Sequence, residues 1–401
     1  MKVPAVVIAF TGTGLATVRC LAADGIPVTA ARFGGGRSGW ETAWSRRCRT
    51  HTLAFPESDH ERLLDWLSTY ARTCPSPPVV FPTSDATALF LARYADRLSR
   101  DCLMFSTSAE EMQRIVNKNT LYQSAAAAGV PIPPMLIEPT AVEVREWCRS
   151  NRPPYIAKPF YGASATSSLK AKNRVFTAVD ALVQYAEDSG TAGVIIQRMI
   201  DSGDGNVCDV YGYCSQDGEI LTMASHGRIR QYPPNTGATS YGVIPFGDPD
   251  VEQRAFDLTR RLLRQFRYHG IFGIEWLRER TTGQLFLTDF NARPFSSIGH
   301  LAHAGLNLPL LGYRELTTRN IPTIDAFPAL KPSRWMDFNC DIRSFHEVRK
   351  STRASWRGFV ADLLRTRYFA FFDVWDPGPA LARGKDFLGI LLRFSLKRKG
   401  R

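Results

Sequence analysis

Glu275, Asp289, Asn291 and Arg293 are the residues whose types and spacing point most directly to chemistry. They lie in the stretch Ile271 to Phe295, which reads as two short strands joined by a tight turn. On the first strand Phe272, Ile274 and Trp276 alternate with Gly273 and Glu275, and on the second Leu285 and Leu287 lead to Asp289. Thr281-Thr282-Gly283 supplies the turn. A hairpin symmetric about Thr282 sets Glu275 opposite Asp289, with Asn291 on the same face. Two carboxylates directly across a sheet repel each other. A divalent cation removes that repulsion, and Mg²⁺ favours a few carboxylate and amide oxygens completed by substrate phosphates. Arg293 stands two residues on, within reach of a phosphate beside such a metal.

Further cations are distributed in the same sense. Lys158 ends the strand Tyr155–Lys158, just before the small-residue run Gly162-Ala163-Ser164-Ala165-Thr166-Ser167-Ser168. The backbone N–H groups of such a run approach polyphosphate, and the lysine adds a point charge. Arg228 and Arg230 fall on one face of a strand continuing from Ile220–Ser225, as a site for anions requires. A charged, protected strand edge gives the same pattern.

The elements that must position these groups emerge from periodicity. Val3–Phe10 is a continuous apolar run with β-branched character, as in a parallel strand buried on both faces. A turn at Thr11–Gly14, a helix Leu15–Asp24 and a strand Ile26–Ala31 open a doubly wound α/β domain. Gly12-Thr13-Gly14 lacks a third glycine, and Arg32 stands where a dinucleotide site places an acid, so a structural turn is the reading adopted. Val79–Pro82 is a further strand, with Thr83-Ser84-Asp85 capping a helix to Leu98. One helical region spans Glu110–Ala128, and Val142–Arg149 and Val251–Arg267 are helices. Val194–Ile200, Val207–Ser215 and Ile220–Ser225 are strands, and Tyr232–Gly242 is a loop long enough to act as a lid. Domains are expected at residues 1–108 (α/β), 109–320 and 321–401 (a helical basic extension). The middle one divides into a lid part near 140–206 and a metal-bearing part near 207–320.

Composition sets bounds. The 401 residues are 44% hydrophobic and 22% charged, which suits two or three packed soluble domains. The net charge of +12 favours anionic ligands. Half of that excess sits between Gly378 and Arg401, where seven basic residues face Asp386 alone. Eight single cysteines without a C-x-x-C pair give neither zinc spacing nor a disulfide framework, as expected in a reducing cytoplasm. The first apolar run breaks at Thr11 and reads as a buried strand rather than a signal peptide.

Taken in order, these motifs resemble the ATP-grasp superfamily over most of residues 1–320. They are Lys118 with Gly129-Val130-Pro131, Lys158 with its loop, Gln197-Arg198-Met199-Ile200, Glu275, and Asp289-x-Asn291-x-Arg293-Pro294. The likeness is greatest to the carboxylate–amine ligase type, D-aspartate ligase-like and carbamoyl-phosphate-synthase-like members included. The resemblance implies two α+β subdomains gripping ATP between antiparallel sheets, beside an N-terminal α/β domain. It implies that Lys118 and Lys158 contact ATP phosphates, that Gln197 to Ile200 read the adenine, and that Asp204 or Asn206 serves the ribose. Glu275, Asp289 and Asn291 are then the ligands of Mg²⁺, for which Mn²⁺ substitutes, and Arg293 steadies the transferred phosphate. Two positions depart from the family pattern: Asp289 stands where glutamate is common, and Ala292 where proline is common. Candidates for the acceptor pocket are Arg228, Arg230, Ser296, Ser297 and His300, Ser296-Ser297 standing where a helix begins.

The implied activity is ATP-dependent joining of a small-molecule or peptide carboxylate to an amine through an acyl-phosphate. Two rivals are an ATP-binding regulatory or scaffold protein without turnover, and nucleic-acid binding by the basic tail. The second is disfavoured because aromatics there do not interleave with the basic residues. In the tail, Trp356–Phe372 reads as a helix, and Phe387–Phe394 carries an apolar face ending in Lys397-Arg398-Lys399. That pattern fits peripheral membrane contact or a helix packed on the core.

Overall fold

The computed structural model describes residues 2–9, 11–34, 39–161, 173–201, 203, 205–318, 324–349 and 354–384. The first sheet is built as its buried β-branched runs require. Strands β1 (Ala5–Ile8), β2 (Val28–Phe33), β3 (Arg49–Leu53) and β4 (Val79–Pro82) pair in parallel in the order β3-β2-β1-β4. Val6, Val7, Ile8, Val80 and Phe81 are fully buried between the flanking helices.

The second sheet holds β5 (Met135–Ile137), β6 (Tyr155–Pro159), β7 (Arg174–Phe176) and β8 (Val194–Arg198), antiparallel in the order β5-β8-β6-β7. The helices Ala141–Trp147 and Val179–Ser189 cover it through Val144, Leu182 and Val183.

The third sheet carries most of the polar groups of interest. It comprises β9 (Val207–Cys214), β10 (Ile220–Tyr232), β11 (Ala238–Ile244), β12 (Gly270–Arg278), β13 (Leu285–Asn291), β14 (Ser333–Met336) and β15 (Tyr368–Phe369). Its order is β13-β12-β9-β10-β11-β14-β15. One face packs on the helix Pro249–Leu263, where Trp276 is fully buried and its Nε1 donates to Thr259 Oγ1 at 3.1 Å.

Three sequence expectations need correction. The region Glu110–Ala128 is two helices, Ala109–Val116 and Lys118–Ala127, because Asn117 takes extended backbone and caps the second through Asn119 N. Tyr232–Gly242 is not a long lid loop: β10 runs to Tyr232, β11 starts at Ala238, and only a short turn remains. The segment after residue 320 is not a purely helical extension, since β14 and β15 join the third sheet. Its helix beginning at Trp356 ends at Arg365 rather than Phe372. Among the described residues no helix is long and apolar enough to cross a membrane.

Candidate active site

Glu275 and Asp289 are cross-strand partners on β12 and β13. The register that produces this pairing contains a bulge. Nearer the turn Arg278 pairs with Leu285 and Trp276 with Leu287, so Thr288 is an extra residue between Leu287 and Asp289. A bulge reverses the facing of the residues beyond it. Leu287 therefore enters the core with Trp276, while Asp289 turns to the opposite side with Glu275. Asn291 pairs with Gly273 and falls on that same side.

A cleft of about 970 Å³ opens between the second and third sheets. Lys118, Lys158, Gln197–Asp201, Arg228, Glu275 and Asp289 all line it. Lys118 begins its own helix because of the break at Asn117, and its Nζ donates to Asp289 Oδ1. Burial works against the lysine's charge, but Asp289, Tyr122 and Glu275 together outweigh it and raise the Lys118 pKa. Asp289 is correspondingly lowered against the cost of its burial, by Lys118 first and by Lys158 and Arg293 more weakly. Glu275 is paired with Arg228, Nη2 to Oε1 at 2.5 Å. Burial still raises its pKa, with the Asp289 charge adding to the effect and Arg228 opposing it. The Arg228 guanidinium is held charged by Asp209 and Glu275 although burial disfavours it.

Arg293 reaches the start of the helix that follows β4. Its Nε donates to Asp85 Oδ1 at 2.7 Å, and Asp85 itself lines the cleft. At the end of β8, the N–H groups of Arg198 and Met199 go to the carbonyls of Pro134 and Pro154. The Arg198 side chain reaches Glu279 at 3.1 Å, tying the second sheet to the third. Gln197 is buried, and Ile200 nearly so. Asp204 and the loop Gly162–Ser168 lie outside the described residues.

Three acceptor candidates are placed elsewhere. Arg230 donates to Asp341 through Nε at 3.0 Å and Nη2 at 2.7 Å, and to Asp362 through Nη1 at 2.6 Å. It does not share a face with Arg228: Arg228 pairs with Gly242 but Arg230 with Tyr241, so a bulge at Ile229 turns it away. His300 is fully buried, with Nε2 2.9 Å from Ser333 Oγ, and burial holds its pKa well below 6.5. Ser297 neither caps its helix nor lines the cleft, its hydroxyl lying 2.8 Å from that of Tyr211 in the core. Ser296 is half-buried in the turn before that helix.

The sequence reading missed Asp209. It is a lone carboxylate on an otherwise apolar strand whose residues are all buried, and that isolation was its signal. Among the described residues, no three His, Cys, Asp or Glu side chains form a metal cage. The oxygen donors of Glu275 and Asp289, with Asn291 beside them, nonetheless fit Mg²⁺, which is bound through one or two carboxylates and takes the rest of its shell from phosphates and water.

The three sheets and the cleft between the second and third define the ATP-grasp fold. Solved structures bear this out. An N5-carboxyaminoimidazole synthetase from Staphylococcus aureus superposes with a TM-score of 0.64 at 11% identity, covering 88% of this chain and 87% of that one. A biotin carboxylase from Campylobacter jejuni, solved as its β-γ-ATP complex, gives 0.61 at 13% identity, over 82% and 74% of the two chains. An L-amino acid ligase from Bacillus licheniformis gives 0.58 at 13% identity, over 79% and 74%. No family model matches the sequence, and no curated protein matches it by sequence.

Proposed function

We propose that this chain is an ATP-dependent ligase that joins a carboxylate to an amine through an acyl-phosphate, releasing ADP and phosphate. The observation that carries the reading is the in-register pair Glu275–Asp289 on the floor of a cleft lined by Lys118, Lys158 and Arg228. Phosphoryl transfer asks a protein mainly to position groups and neutralise charge, which is what this set supplies. In support, the structural neighbours include an ADP complex of an N5-carboxyaminoimidazole synthetase and an L-amino acid ligase.

In this reading Glu275, Asp289 and Asn291 hold Mg²⁺, which when bound offsets the charge of the phosphates. Lys118 and Lys158 take the phosphate oxygens, and Gln197 to Ile200 flank the base. Arg293 releases Asp85 and turns its guanidinium to the transferred phosphoryl group. The acid's oxygen attacks the γ-phosphorus and the bond to ADP breaks. The amine nitrogen then attacks the acyl carbon, phosphate leaves and the nitrogen gives up a proton. No nucleophilic side chain is needed.

The test is incubation of the purified chain with ATP, Mg²⁺ and pools of amino acids, small peptides and nucleotide sugars. Phosphate release and product mass are read together. A condensation product formed with ADP supports the ligase. Absence of acid-stimulated ATP cleavage across all pools contradicts it.

A further inference from the structure

Asp209, Glu275 and Asp289 stand in one row across three neighbouring strands, because Asp209 pairs with Glu275 and Glu275 with Asp289. His226 on β10 extends the row beyond Asp209. Three consecutive carboxylates on one sheet face repel unless cations lie between them. Lys118 serves Asp289, and Arg228 serves the other two. Arg228 is shared unequally. Its Nε and Nη2 reach Asp209 Oδ2 and Oδ1 at 2.9 and 2.7 Å, while Nη2 alone reaches Glu275 at 2.5 Å. Asp209 is fully buried and is fixed further by the Tyr211 hydroxyl at 3.0 Å and His226 Nδ1 at 3.2 Å.

We infer that Asp209 is a positioning residue that retains Arg228 so that Glu275 can pass from arginine to the metal. This rests on the metal–nucleotide reading above. A guanidinium with no second carboxylate would stay on Glu275 and compete with the cation. The bidentate hold from Asp209 gives it an alternative seat two strands from Asp289. Arg228 then stays beside the cleft as a fixed donor for an anionic ligand oxygen. Asp209 itself touches no ligand in this scheme, and its fixed neighbours Tyr211 and His226 keep its carboxylate from moving with the arginine.

The test measures binding of Mn²⁺·ADP to the full chain by the Mn²⁺ electron paramagnetic resonance signal, with no turnover required. Asp209→Asn is expected to weaken Mn²⁺·ADP binding about tenfold, as loss of a group supporting a metal ligand does. The charge-neutral pair D209N/R228Q is expected to recover part of that loss, because the competitor for Glu275 is gone while the Arg228 contact to the ligand is gone with it. A merely structural role would leave the double variant no better than the single one, and that result overturns the proposal. Unchanged binding in Asp209→Asn overturns it as well. Should that single variant fail to fold, D209N/R228Q is compared with R228Q: equal binding supports the proposal, since Asp209 then acts only through Arg228, and weaker binding by the double variant contradicts it. A native chain that binds no Mn²⁺·ADP would instead overturn the nucleotide reading on which the proposal rests.

Discussion

Lys118 and Arg228 each neutralise one carboxylate of the Glu275–Asp289 pair, and neither carboxylate is left to face the other bare. Breaking a partly buried ion pair from one side is costly, because an uncompensated charge remains. In the proposed complex, Mg²⁺ and phosphates would avoid that cost by giving both the cations and the carboxylates new partners. Glu275→Gln and Asp289→Asn should therefore lower ADP formation by roughly two orders of magnitude or more. The measurement is steady-state turnover with folding checked by circular dichroism; native rates in both variants would exclude the pair as the metal site. His300 makes a different contribution. Burial keeps its imidazole neutral, with its pKa well below the ordinary 6.5. Above about pH 6.5 the folded and unfolded chains are both neutral there, and its stabilising effect is complete. As pH falls, the unfolded chain takes up a proton that the folded chain refuses, and stability is lost. Urea unfolding monitored from pH 7 to pH 5 should show a shallower loss in His300→Gln; an identical slope would remove His300 as a cause.

At the level of elements, two bulges decide what the cleft contains. The one at Thr288 brings Asp289 round to Glu275, and the one at Ile229 takes Arg230 away from Arg228. Period-2 alternation made the strands legible, and turn chemistry made the hairpin so. Alternation alone carries no sign of where a strand gains a residue, so Arg230 was placed on the wrong face. Its partners Asp341 and Asp362 also lie more than a hundred residues away, beyond any local pattern. Ser297 and His300 were misplaced for a related reason: a helix start near a site looks the same whether it faces the ligand or the core. The pairing of Glu275 with Asp289 was legible because the hairpin sets it locally, whereas Lys118 was reached only through the resemblance, since the break at Asn117 that starts its helix has no sign in the apolar pattern. Arg230 now reads as a clamp, stacked on the Tyr241 ring at 4.4 Å and holding the fully buried Asp341. Asp341→Asn should lower unfolding stability by about 3 kcal/mol in urea titration. The KM for ATP should stay unchanged, and a change in KM without loss of stability would return Arg230 to the site.

Across the whole molecule, the C-terminal segment locks the first and third sheets together. The β14 and β15 strands extend the third sheet, while Arg19 from the helix after β1 holds Asp376 and the carbonyls of Ala370 and Phe371. Arg383 pairs with the buried Glu41. Removing that arginine leaves Glu41 without its counter-charge, so Arg383→Met should cost about 3 kcal/mol of stability. Truncation after Pro379 should show the same loss in thermal melts and keep ADP production, whereas truncation after Gly384 should change neither. Loss of turnover in a folded Gly384 truncation would make the basic tail part of the catalytic unit.

Activation of the acid as an acyl-phosphate, as proposed above, is open to trapping with hydroxylamine. Hydroxylamine attacks an acyl-phosphate at carbon and yields a hydroxamate with release of phosphate. With ATP, Mg²⁺, hydroxylamine and the acid pools, the native chain should form hydroxamate and ADP in equal amounts, and Glu275→Gln should form neither. Formation of AMP and pyrophosphate, or no nucleotide cleavage with any acid, would contradict the account.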